Sequence, residues 1–127
     1  MSNWRRTALL ALVLTPGCDY GPRMRPGEPC LECHRAGGTA SSEAFSAAGT
    51  VYDRAAGGAA LKGATVTLGD PDGAEVQVVT NSVGNFYTRR PLTFPVTASV
   101  GFADYQPTTV SAPMQSGDCN ACHTRRR

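Results

Sequence analysis

Between residues 48 and 111, every apolar run is stopped within a few residues by glycine, proline, asparagine or aspartate. A chain interrupted this often cannot sustain long helices. Its 14 glycines and 9 prolines leave short strands joined by tight turns as the alternative. The runs themselves have period two. Gly49-Thr50-Val51-Tyr52-Asp53 alternates and stops at Arg54-Ala55-Ala56-Gly57-Gly58, and Ala64 to Leu68 stops at Gly69-Asp70-Pro71-Asp72-Gly73. Glu75 to Thr80 sets Val76 and Val78 on one face and stops at Asn81-Ser82-Val83-Gly84-Asn85. Phe86-Tyr87-Thr88, Val96 to Gly101 and the stretch 104–112, where Pro107 marks an edge, complete the series. The pattern predicts an all-β chain: a small antiparallel β-sandwich of six to seven strands. The seventh would lie at Leu92–Phe94 or Ala59–Leu61. At 127 residues this is one domain with terminal extensions.

On either side of the body stands Cys-x-x-Cys-His: Cys30-Leu31-Glu32-Cys33-His34 and Cys119-Asn120-Ala121-Cys122-His123. The two copies use both histidines of the chain and four of its five cysteines. In c-type haem attachment the two thiols bond to the haem vinyl groups, and the adjoining imidazole becomes the proximal iron ligand. The motifs therefore predict two covalently held haems, with Cys30, Cys33, Cys119 and Cys122 as attachment residues and His34 and His123 on the irons. A four-cysteine zinc site and disulfides at or between the motifs are the competing uses. Zinc knuckles usually come from nearby turns, whereas these stand on opposite sides of the body, and both alternatives leave the histidines unexplained. A thioredoxin-like thiol pair would need a βαβ context that the strand pattern excludes.

No third histidine is available for the sixth positions. The methionines that follow the leader, Met24 and Met114, each precede a motif by a few residues, and thioether ligation would complete two His/Met sites. The bland use of such a methionine is packing. Exchange, each methionine crossing to the other haem, is easier than self-ligation if the haems lie close. Six strands would return the C-terminal motif to the pole of the first, with Tyr20 and Phe45 as pocket walls. Seven would place the haems at opposite ends and suit head-to-tail self-association.

The N-terminal stretch supplies a location. Arg5-Arg6 precede an apolar run, Ala8 to Leu14, far shorter than the roughly 20 residues of a membrane-spanning helix. This is the pattern of an export signal. Its ending, Leu14-Thr15-Pro16-Gly17-Cys18, resembles a bacterial lipobox, which implies a lipid on Cys18. The aliphatic residue falls four places before the cysteine, one more than usual. The expected organisation is a signal peptide at 1–17, an N-terminal haem-binding segment at 18–47, the sandwich at 48–111 and a C-terminal haem-binding segment at 112–127. The chain has 12 basic and 10 acidic residues; without Arg5 and Arg6 the two balance, which leaves no nucleic-acid footprint.

Two resemblances add to this. The body, through Gly49, Val51 and Asp53, Gly63-Ala64 with Val66, Asn81 with Gly84 and Phe86, and Gly101-Phe102, resembles the carboxypeptidase regulatory-like domain. That resemblance implies a transthyretin-type sandwich serving as scaffold, and no peptidase zinc site accompanies it. The stretches Met24 to His34 and Met114 to Thr124 resemble exported dihaem and multihaem c-type cytochromes of proteobacteria. This second resemblance implies an envelope electron carrier and names no partner; with the export signal, the expectation is a protein of the periplasm or outer membrane that exchanges electrons with redox partner proteins and is not an enzyme. The alternatives are a haem enzyme or sensor with one open iron, and a non-redox structural or adhesion lipoprotein with zinc or disulfides at the motifs. An enzyme would need a distal acid–base group, and no histidine is left to be one.

Cys18→Ser is expected to release the protein from membranes without changing its haem content. Fractionation of the variant checks this, and a distribution like the parent's would refute lipidation.

Overall fold

The computed structural model describes residues 25–54, 58–104 and 110–123. The expected signal peptide, Cys18, Tyr20 and Met24 lie outside the described residues. Among those described, the chain is mostly β: β1 (Ala47–Thr50), β2 (Thr65–Gly69), β3 (Glu75–Val79), β4 (Asn85–Thr88) and β5 (Thr97–Gly101). Helical structure is confined to 3₁₀ turns at Cys30–Glu32 and Ser41–Glu43 and one turn of helix, α1 (Cys119–Cys122). No helix among the described residues is long and apolar enough to cross a membrane.

The strands form two antiparallel sheets, a pair β1-β4 and a triplet β3-β2-β5. In β2 the alternation Thr65-Val66-Thr67-Leu68 buries Val66 and Leu68, while β3 turns Val76 inward and leaves Glu75, Gln77 and Val79 exposed. Phe86 of β4 and Ala47 of β1 meet Val66, Leu68 and Val76 in one apolar cluster, so the two sheets share a single core. The expected turns form for the expected reasons. Asp70 Oδ1 accepts from the backbone N–H of Asp72 and Ala74, closing the β2–β3 hairpin. Asn81 Oδ1 accepts from Val83 and Asn85 in the same way, closing the link from β3 to β4.

Five strands stand among the described residues where six to seven are expected. Leu92–Phe94 forms no strand, and Ala59–Leu61 contributes only an isolated bridge, Ala60 to Tyr52. The strand expected over 104–112 falls in good part outside the described residues. Its continuation still runs beside β5: Ser111 N–H donates to the Ala98 carbonyl at 2.8 Å, and Met114 and Val96 exchange backbone hydrogen bonds at 2.7 and 2.9 Å.

Strand β1 departs furthest from the expected pattern, which begins at Gly49. It starts at Ala47 and all four residues are buried. One edge pairs with β4, and the other meets the C-terminal segment through Ala48 N–H, which donates to the Gly117 carbonyl at 2.9 Å. A strand covered on both faces shows no inside–outside alternation, and its residues are small because the neighbours are close. A Cβ on Gly49 would stand 2.9 Å from both Cys119 Cβ and the Phe86 ring. One on Gly117 would run into the Ser46 carbonyl and stand 2.7 Å from Ala47 Cα.

Leu68 is completely buried in the shared core, whereas Val79 is 62% exposed. Leu68→Ala is expected to cost about 3 kcal/mol through lost transfer energy and the cavity left behind. Val79→Ala should stay within about 0.5 kcal/mol of the parent. Urea unfolding followed by circular dichroism checks both.

Candidate functional site

The two Cys-x-x-Cys-His segments, a 3₁₀ turn in the first and a turn of α-helix in the second, share one closing hydrogen bond. In each, the histidine N–H donates to the carbonyl of the first cysteine: His34 to Cys30 at 3.1 Å, His123 to Cys119 at 2.9 Å. A single helical turn of this kind sets the cysteines three residues apart on one face, with the histidine following directly.

Both turns then pack against β1, the first before it in the chain and the second long after it. The residue joining them is Asn120, wholly buried within the second motif. Its Oδ1 accepts from Thr50 N–H at 2.9 Å, and its Nδ2 donates to the Glu28 carbonyl at 2.9 Å and to Thr50 Oγ1 at 3.0 Å. The same amide lies 3.7 Å from Cys30 Sγ. Thr50 Oγ1 also accepts from Gly27 N–H at 2.9 Å and donates to Asn85 Oδ1 at 2.8 Å. One buried polar network therefore links the approach to the first motif, the interior of the second, β1 and β4. Asp118, just before α1, is close enough to the first motif for its charge to act on Cys30.

These contacts bring Cys30 and Cys119 into one half-buried neighbourhood, and both are thiols. Burial pushes the Cys30 thiol up to about 11, helped by the negative charges of Asp118 and Cys119. Burial also raises the Asp118 carboxyl above its usual range. Cys33 is disulfide-bonded.

The two histidines differ. His123 is exposed. His34 is buried, and its ring stacks on Phe45 with centroids 4.2 Å apart; Phe45 stacks in turn on Tyr87 at 4.6 Å. His34 Nδ1 lies 2.8 Å from the Glu43 carbonyl, and a carbonyl only accepts, so Nδ1 carries the proton. The neutral ring then keeps its lone pair on Nε2, the tautomer a metal requires. Desolvation, seconded by the Arg89 charge, lowers the His34 pKa and favours that neutral form. Arg89 is itself ion-paired with Glu43.

No family model, curated protein or solved structure matches the chain. The structure brings Cys30 and Cys119 together, and with them the turns carrying His34 and His123. It holds Met114 at the start of β5 through Val96, with a half-buried side chain. Among the described residues, no group of three or more His, Cys, Asp or Glu side chains is placed to hold a metal ion by itself. Phe45, expected as a pocket wall, lies against His34. Asn120, Asp118, Thr50 and the Glu43 carbonyl are not among the expected residues. Asn120 occupies a variable position of the motif, and the others sit in ordinary strand and loop sequence.

Replacing Asn120 by leucine would leave the buried Thr50 amide without its acceptor and remove the amide donor from the Glu28 carbonyl. Asn120→Leu should lose about 3 kcal/mol of stability, whereas the exposed neighbour change Ala121→Ser should stay within about 0.5 kcal/mol of the parent. Urea midpoints of the two variants decide it, and equal midpoints would show that the network carries no weight.

Proposed function

We propose that this chain is a dihaem c-type cytochrome: an exported, lipid-anchored electron-transfer protein of the cell envelope with no substrate of its own. The observation that carries the reading is that both Cys-x-x-Cys-His segments, far apart in sequence, close a single turn from the histidine N–H to the first cysteine's carbonyl and meet on β1. One haem would attach through Cys30 and Cys33 with His34 as proximal ligand, the other through Cys119 and Cys122 with His123. The residues fit that group. Cys30 and Cys119 are thiols, and His34 Nδ1 is held by the Glu43 carbonyl, which makes Nε2 the basic nitrogen of the ring. Attachment at Cys33 needs the thiol, so its disulfide must first be reduced. When bound, haem would supply reversible one-electron transfer. The chain's part is to orient His34 through Glu43 and Phe45, to hold the two turns together through Asn120 and to keep water from the Thr50 network.

In this reading the two-sheet body is a carboxypeptidase regulatory-like scaffold with transthyretin-type topology. Cys18 anchors the protein to the membrane, and redox proteins of the envelope are its partners. Met24 and Met114 complete the iron sites. The disulfide at Cys33 favours a second reading, a non-redox structural lipoprotein whose motif cysteines close its ends by disulfides. An absorption spectrum of protein matured with haem separates the two.

Intact-mass analysis of the matured chain should show two haem additions that survive acid denaturation, and none would overturn the proposal. Cys33→Ala and Cys122→Ala should each weaken or remove one attachment and spare the other. If the methionines are ligands, Met24→Ala and Met114→Ala should each reduce the far-red sulfur-to-iron band of the ferric protein and lower one potential. An unchanged spectrum in both would make them packing residues.

A further inference from the structure

Cys30 and Cys119 are the first cysteines of the two motifs, and the fold treats them alike. Each is half-buried, and each Sγ lies near a carbonyl of its own segment, Cys30 at 3.5 Å from that of Glu28 and Cys119 at 3.6 Å from that of Gly117. Asn120, the residue after Cys119, puts its amide on both the Glu28 carbonyl and Cys30 Sγ, a contact spanning 90 residues of sequence. Asp118, the residue before Cys119, is close enough for its charge to act on Cys30. Cys119 is thus followed directly by a residue that grips the Cys30 turn. Its own Cβ is fixed against β1, where Gly49 leaves room for it.

We propose that Cys30 and Cys119 are a disulfide-forming pair, which in the chain without haem joins the N-terminal and C-terminal segments across β1. The inference rests on the proximity of the two thiols and goes beyond the haem reading. The two fates are exclusive, since a sulfur in this disulfide has no thiol to offer a vinyl group. The step is thiol–disulfide exchange with a small-molecule disulfide as oxidant. One motif thiol displaces one half of the oxidant and forms a mixed disulfide. The other motif thiol then attacks that sulfur and releases the second half. Two S–H bonds and the oxidant's S–S bond break, one protein S–S bond and two small-molecule thiols form, and the two electrons end on the oxidant. An oxidising exterior compartment is where such a bond persists, and Cys33 is already disulfide-bonded.

The experiment uses the full chain expressed without haem-maturation machinery and incubated with oxidised glutathione. Free thiols are then blocked with iodoacetamide, and peptides are mapped by mass spectrometry without reduction. The expected result is a peptide pair joined through Cys30 and Cys119, absent in Cys30→Ser and in Cys119→Ser, with neither residue alkylated in the parent. Separate alkylation or glutathionylation of the two residues would overturn the proposal, as would a bond from Cys30 to Cys33. Because the parent chain is mapped directly, misfolding of a serine variant cannot rescue the idea. Haem counting on the matured protein is a separate measurement, so failure here leaves the electron-transfer reading standing, and failure there leaves this one.

Discussion

A single buried carboxamide, that of Asn120, holds the candidate site in place. Burying an amide without partners costs several kcal/mol in the least forgiving surroundings, so a wholly buried asparagine is stable only where each polar atom is met. Here Thr50 supplies a donor through its N–H and an acceptor through its hydroxyl, and Glu28 supplies a second acceptor. Thr50 can do so only because its hydroxyl passes its own proton to Asn85 on the neighbouring strand. Each member is satisfied by the next. Removal of any one leaves a buried group without a partner, which makes the network cooperative.

The network exists because β1 is built from small side chains. Ala47, Ala48 and Gly49 let the Gly117–Cys119 segment approach one edge closely enough for a backbone hydrogen bond. A larger residue at Gly49 would meet Cys119 and Phe86 together. The strand gives up apolar burial of its own, and that space is taken by the two cysteine turns. This helps a body whose largest fully buried apolar side chains are only Leu68, Val66 and Val96. A core that small is marginal alone, and tying distant chain segments to the same strand adds contacts the sheets lack.

Legibility in the sequence depends on which physics is local. Turns closed by Asp70 and Asn81 announce themselves because the side chain bonds backbone groups two to four residues on. Strands β2 and β3 announce themselves because one face is buried and the other is wet, which writes period two into Thr65 to Leu68 and Glu75 to Val79. Strand β1 is buried on both faces, so Ala-Ala-Gly-Thr carries no period and nothing in the pattern marks its start at Ala47. The motifs are legible as chemistry and only partly as place. Counting strands leaves a shared end and opposite ends both open, whereas the structure sets both motif turns against β1 by laying the C-terminal segment along it. Asn120 leaves no trace at all, because its partners are set by tertiary contact and its position in the motif is one that any residue can fill.

The same reasoning separates the two histidines. His34 is stacked on Phe45, tethered at Nδ1 and desolvated, so its ring is oriented before anything binds. His123 is exposed on the last described turn of the chain. An oriented, dry ligand costs little entropy to engage, while a solvated one must be ordered by the group it binds. Two copies of one motif are therefore unequal sites. The first is shaped by the fold and would impose its geometry on a bound group. The second would take its geometry in part from that group, with Asn120 as the fixed point from which it hangs.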